Sequence, residues 1–388
     1  MVSERTTVAH SPAPAAPDSN TAPARSEVLL VWSLAAAAAV TVPVGGGQML
    51  LMAKPIAGTI GVPGEVIGYI VLTAALLGCL TALAVPRLLR LTSARAGAWS
   101  ALGAGAALIL TGVATAPIPF CVGTLLAGAL ISITYTTGRI RLAELGGGAR
   151  TARHAVTWLG LLAATALSGA FYPDPMTGLL IAGMAATAFG ILAVSASTHS
   201  WHLPVGLPPP GSVRRALFGY GAAGFAVGAA VTSATHVLAH RWEVLGADQM
   251  PLIGAAAMTA LVTVVLPLRP VSVPLLLVTA AGGLLLVAVA PGSGTTAAGL
   301  AVSLAASARA VVDLDRIAAV SGTARSSARA VCVGGLGAVA GLAIADALRE
   351  VVGAGTAITL AVFPVLALTA GSMISAARPG LSSEGDHP

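Results

Sequence analysis

The chain has 388 residues, 56% of them hydrophobic and only 9% charged, with a formal charge of +6 and a mean hydropathy of +0.90. A soluble domain carries about 25% charged residues, so a water-soluble fold of this size is excluded and most of the surface must face hydrocarbon. The basic excess does not make a nucleic-acid face either, because the arginines are scattered through short intervals between apolar runs of about 20 residues, the length that spans a bilayer core.

Residues 1–27 are rich in Pro, Ala, Ser and Thr and read as a disordered tail. No short apolar segment near Met1 suggests a cleaved signal. Six spanning helices are then expected at 28–52, 64–86, 96–115, 118–139, 152–172 and 176–196. The interval 197–214, with Pro204 and Pro208-Pro209-Pro210, reads as a central loop. Six more helices follow at 215–238, 250–268, 272–290, 294–313, 327–348 and 354–376, and 377–388 is a second tail. The fold class is therefore all-α, a polytopic membrane protein of about twelve spans in two pseudo-symmetric six-helix bundles.

Orientation follows from the positive-inside rule. With a cytoplasmic N-terminus, every Lys and Arg except Lys54, Arg241 and Arg349 falls on the inner side. Both termini are then cytoplasmic and the location is the cell membrane. The three cysteines, Cys79, Cys121 and Cys332, lack metal-ligand spacing and read as small packing residues. Gly224-x-x-x-Gly228 and Gly337-x-x-x-Gly341 read as seams of close helix packing. In the first span, Gly45-Gly46-Gly47 after Pro43 reads as either a packing site or a break lining a cavity.

Two stretches repeat in the same order. Gly148-Ala-Arg-Thr-Ala-Arg-His-Ala-Val156 precedes the fifth helix, and Gly322-Thr-Ala-Arg-Ser-Ser-Ala-Arg-Ala-Val331 precedes the eleventh. The fourth helix ends Arg139-Ile-Arg141-Leu-Ala-Glu144, and the tenth ends Arg309-Ala-Val-Val-Asp313-Leu-Asp315-Arg316. An offset of about 170–175 residues maps one half on the other, the pattern of transporters built from two parallel repeats.

This layout resembles the major facilitator superfamily over residues 28–376. At the segment that carries the family's Gly, Asp-Arg and Gly-Arg signature, Ala82-Leu-Ala-Val-Pro86-Arg87-Leu-Leu89-Arg90 keeps the basic positions as Arg87 and Arg90. Pro86 stands for the aspartate and Leu89 for the second glycine. Thr124-Leu-Leu-Ala-Gly128 has no arginine where the fourth-helix pattern has one, and Leu167-Ser-Gly169 lacks the proline of the antiporter signature. The resemblance implies two bundles that rock about a midplane site.

Ionisable groups at membrane depth are costly and are functional candidates by default. Arg139, Arg141 and Glu144, with Arg309, Asp313 and Asp315, lie at the inner ends of the fourth and tenth helices. With Arg87 and Arg90 they make a candidate cytoplasmic gate, against the plainer reading of interfacial charge. Asp346, followed by Arg349, is a candidate for proton coupling or a local rim pair. His236, His240 and Glu243 share a helical face, but loop histidines near an interface are common, so no metal and no cofactor is assigned. Thr41, Gln48, Ser132, Thr134, Tyr135, Thr232, His236, Ser303 and Ser307 are polar positions expected near the midplane. Together they suit a small neutral or amphipathic organic substrate.

The expected function is a monomeric secondary transporter exporting such a compound, not an enzyme. No Gly-x-x-x-x-Gly-Lys-Ser/Thr loop occurs, so no ATP site is expected, and no nucleic acid. Two alternatives stand beside it. A membrane-embedded enzyme on a lipid or prenyl substrate would hold a cation-bound pyrophosphate at Asp313-x-Asp315, and a scaffold or sensor would keep the fold without transport.

Overall fold

A computed structural model of the chain describes residues 25–42, 49–92, 95–144, 147–197, 210–244, 246–266, 271–319 and 324–377. Among these residues there are fourteen α-helices and no strand. In chain order they are α1 Arg25–Val42, α2 Met49–Leu51, α3 Ala53–Ile60, α4 Gly64–Thr92, α5 Arg95–Gly112, α6 Pro117–Glu144 and α7 Gly147–Ala170. There follow α8 Pro175–Ala196, α9 Pro210–Arg241, α10 Met250–Val265, α11 Val273–Val289, α12 Ser293–Ala319, α13 Ala324–Val352 and α14 Ala354–Ala377.

Each expected span has a helix, and the two additional elements are α2 and α3. In the first span, expected at 28–52, helix is described over Arg25–Val42 and Met49–Leu51, and residues 43–48 lie outside the described residues. Eight residues with Lys54 and Pro55 near the start gave no spanning signal for α3, which terminates at Gly61 in the left-handed region, φ +72°. Elsewhere the boundaries follow local chemistry. Prolines open α6, α8 and α9 in the first helical turn, where a missing N–H costs nothing. The Asp174 carboxylate caps α8, accepting from the Thr177 N–H at 3.4 Å. Gly353, φ +82°, turns α13 directly into α14.

Eight helices among the described residues are long and apolar enough to cross a bilayer, and Ser26–Thr41 and Val273–Val289 are shorter apolar helices. The molecule is a multi-pass membrane protein. Large apolar side chains that a soluble protein would bury are exposed along the helices, among them Tyr69 and Leu80 on α4, Ile118 on α6 and Val289 on α11. They mark the faces turned to lipid.

The packing is repeated. In the first part α1 packs on α5, α6, α7 and α8, α4 on α6, and α5 on α6 and α8. In the second, α9 packs on α11, α12, α13 and α14, α10 on α12, and α11 on α12 and α14. Each contact in the first set has its counterpart in the second. The parts meet through α4 with α13 and α7 with α10, two seams that exchange under the same correspondence.

Small residues make these approaches possible. A methyl group on Gly224 or Gly228 of α9 would strike the carbonyl oxygens of Gly334 and Ala338, and one on Gly337 or Gly341 of α13 would strike those of Gly221 and Phe225. Both Gly-x-x-x-Gly motifs are thus halves of a single α9–α13 seam. Gly160 of α7 meets the Ala39 carbonyl of α1 in the corresponding place. The Gly45–Gly47 triplet lies outside the described residues.

Candidate functional site: a buried charge cluster between the two parts

The end of the molecule formed by the first turns of α1, α7, α9 and α13 and the last turns of α4, α6 and α12 carries most of the arginines. Arg139 on α6 and Asp315 on α12 occupy the same register, each 22 residues beyond the first residue of its helix. Corresponding positions of the two repeats therefore face each other there, one cationic and one anionic.

The pair is the centre of a cluster of five side chains. Asp315 Oδ1 accepts from Arg139 Nη2 and from the Tyr220 hydroxyl of α9. Asp315 Oδ2 accepts from Arg153 Nη2 of α7 and lies 2.9 Å from His154 Nε2. Arg139 Nη2 also donates to the Tyr220 hydroxyl at 2.7 Å, with its guanidinium 4.8 Å from the centre of the Tyr220 ring. All five residues are buried, none more than 7% exposed. Isolated charges at such depth would be prohibitive, and charge-assisted bonds to one carboxylate are the compensation.

His154 contributes by tautomer. Its Nε2 is also 2.9 Å from Arg153 Nη2. With the proton on Nε2 the ring donates to Asp315; with the proton on Nδ1 it accepts from Arg153 instead. Arg139, Arg153 and His154 belong to the first part and Tyr220 and Asp315 to the second. The bonds of Asp315 to the first part are thus ties across the molecule. An apolar plug accompanies them, in which Val85 and Leu89 of α4, Ile140 of α6 and Ala324 of α13 pack together.

The remaining gate candidates are arranged differently. Arg309 Nε and Arg316 Nη1 both hold Asp313, at 3.3 and 3.0 Å, within α12 itself. Arg141 reaches Glu27 of α1 at 2.6 Å, tying two helices of the same part. Arg87 is exposed on α4. Arg90 and Glu144 lie on helices, with side chains outside the described residues. Arginines pair with both carboxylates of the Asp313-x-Asp315 motif, Arg309 and Arg316 with Asp313 and Arg139 and Arg153 with Asp315.

The polar positions expected at the midplane divide into groups. Ser132 lines a cavity of about 180 Å³ bounded by α4, α6 and α13, together with Gly78, Cys79, Gly128 and Gly335. Tyr135 lines a smaller one beside Arg139 and Arg153. Thr41 and Thr134 spend their hydroxyls on their own helices, donating to Ala37 O at 2.7 Å and Leu130 O at 3.0 Å. Ser303 and Ser307 are fully buried with no hydrogen-bond partner. Ser303 lies where α12 meets Gly283 of α11. Gln48 falls outside the described residues, as does the side chain of Thr232.

His236 makes a pair with Asp346 of α13 at 3.3 Å, and Asp346 takes Arg349 at 3.0 Å, as its i,i+3 spacing suggests. Asp346 is 51% exposed on its side chain. His240 and Glu243 are exposed, and no group of three or more metal-ligating residues occurs among the described residues.

No family sequence model and no curated protein sequence matches the chain. Structure does. The solved structure titled as the human organic anion transporter MFSD10 (TETRAN) is similar with a TM-score of 0.69 at 15% sequence identity, over 91% of this chain and 100% of that one. The fold is that of the major facilitator superfamily. The fold resemblance read from helix layout and Arg87/Arg90 therefore holds although the signature residues around them differ. Within the facilitator fold the residues that sequence reasoning passed over as a site are Arg153, His154 and Tyr220. Arg153 and His154 stood in the repeated stretch before the fifth helix. Tyr220 carried no signal of its own, since a lone tyrosine in an apolar helix has no periodicity to reveal it.

Proposed function

We propose that the protein is a secondary active transporter that works by alternating access, with 28–196 and 215–376 as two six-helix bundles rocking about the α4–α13 and α7–α10 seams. The observation that carries this reading is the buried cluster around Asp315, which ties the bundles at one end through bonds that water or a ligand can replace. The repeated packing and the facilitator fold support it. With the positive-inside rule, the cluster is the cytoplasmic gate and both termini are cytoplasmic in the cell membrane.

The cargo we assign is a small amphipathic organic compound moved without chemical change by a monomer at the expense of a proton gradient. The 180 Å³ cavity at Ser132 has largely apolar walls, which suits an apolar body. Asp346, exposed and shared by His236 and Arg349, acts as a rim tie between α9 and α13 in this account. Transport is tested by loading proteoliposomes with candidate compounds under an imposed pH gradient. Gradient-dependent flux is expected; folded protein giving no flux of any compound points to a scaffold or sensor.

A further inference from the structure

The cluster contains two guanidinium groups and one carboxylate, so one positive charge is left over in a buried place. Arginine keeps its charge at any depth. The surplus has a direction, because Arg153 Nε is buried and makes no hydrogen bond. A buried donor left unmade costs about 1–3 kcal/mol, and such a group calls for a partner. On the membrane-centre side of the two arginines lies a small, partly open cavity bounded by Leu34, Ala35 and Ala38 of α1 and by Tyr135 and Thr157. Its volume is about 10 Å³, enough for about one water molecule.

We infer that Arg139 and Arg153 form the binding site for the acidic group of the substrate, an organic carboxylate or similar anion, and that Asp315 occupies this site in its absence. The inference rests on the transporter reading and names its substrate class. A carboxylate arriving from the membrane-centre side takes Arg153 Nε first, then exchanges with Asp315 for the guanidinium edges. Each bond it takes is one of the ties between the two parts. Binding and opening are therefore one event: the anion loosens the end that Asp315 holds shut, and the small cavity has to widen to admit anything larger than water. The Leu34, Ala35 and Ala38 face lines the approach to the head group.

Competition with Asp315 gives a specific test. The full chain is purified in detergent and its thermal unfolding is followed by tryptophan fluorescence at fixed ionic strength, with acetate, benzoate or octanoate, and with benzyl alcohol and benzylamine as neutral and cationic controls. The variants are D315N, R153Q and the double variant R139Q/D315N. Carboxylates are expected to raise the unfolding midpoint of the unaltered protein and the controls not to. D315N, relieved of the internal competitor, is expected to bind benzoate about tenfold or more tighter, and R153Q to lose the response. Should D315N not fold, the double variant, which keeps the original charge and leaves Arg153 without its internal competitor, must still show a benzoate response that R153Q lacks. Equal responses in the unaltered protein and R153Q overturn the proposal, as does the absence of any carboxylate response in D315N and the double variant. Binding in detergent does not require transport, so a failure here with flux present in proteoliposomes removes the anion site alone.

Discussion

The two ends of the molecule are held by different forces. At the arginine-rich end, α6 and α7 are joined to α9 and α12 by a buried carboxylate shared among two arginines, a histidine and a tyrosine. At the opposite end, the contacts between the parts are apolar and steric: Gly169 of α7 lies against Met250 of α10, and Gly246 lies against the Tyr172 ring. The ionic group there, His236 with Asp346 and Arg349, stays within α9 and α13 and does not cross. An ionic tie in a dry place is strong while complete and is lost as a unit when one partner is withdrawn. Apolar contact is graded and insensitive to a competing ion. On the proposed transporter reading, one end releases and the other slides.

The contrast is broken most forcefully at Asp315. Asp315→Ala leaves two buried arginines without a counter-charge and is expected to cost about 3–5 kcal/mol of the closed arrangement. Labelling of Thr157→Cys by a membrane-impermeant maleimide, with Cys79, Cys121 and Cys332 replaced, should rise in that background. Unchanged labelling would show that the cluster does not seal this end. Next in size is the seam inside the second part. Gly337→Leu pushes a side chain into the Gly221 carbonyl and is expected to lower stability by about 1–3 kcal/mol, as overpacking does, read from the unfolding midpoint without a change in Thr157→Cys labelling. The smallest effect belongs to the rim. Asp346→Asn removes an exposed pair and should change stability by less than about 1 kcal/mol, leaving pH-gradient-driven flux intact. Loss of the gradient dependence in that variant would move proton coupling to Asp346.

What the sequence disclosed follows the same division. Helix positions were legible because hydrocarbon admits few solutions: an apolar run of sufficient length, bounded by arginines, is a span. The α9–α13 seam was legible because Gly-x-x-x-Gly places two small residues on one helical face. Arg139 and Asp315 were visible as charges where charges are expensive. Their convergence was not, because Asp315 has a nearer neighbour in sequence, Arg316, which in fact turns to Asp313. Local spacing accounts for Arg309, Asp313 and Arg316 and for Asp346 and Arg349, whereas the cross-molecule ties are separated by 81 to 176 residues and depend on how the repeats face one another. The short helix α3 was hidden because its proline and lysine sit in a run too brief for any membrane pattern.

The central claim is that the Asp315 cluster holds one end closed while the other end is free to respond. Spin labels at Arg95 and Ile317 report the arginine-rich end, and labels at Ile118 and Val289 report the opposite end, all four positions being exposed. Distance distributions from paired labels, measured in lipid nanodiscs with and without Asp315→Ala, decide the matter. The account predicts that the substitution lengthens the Arg95–Ile317 distance and shortens the Ile118–Val289 distance. Distances that stay the same at both ends, or that lengthen at both, would contradict it.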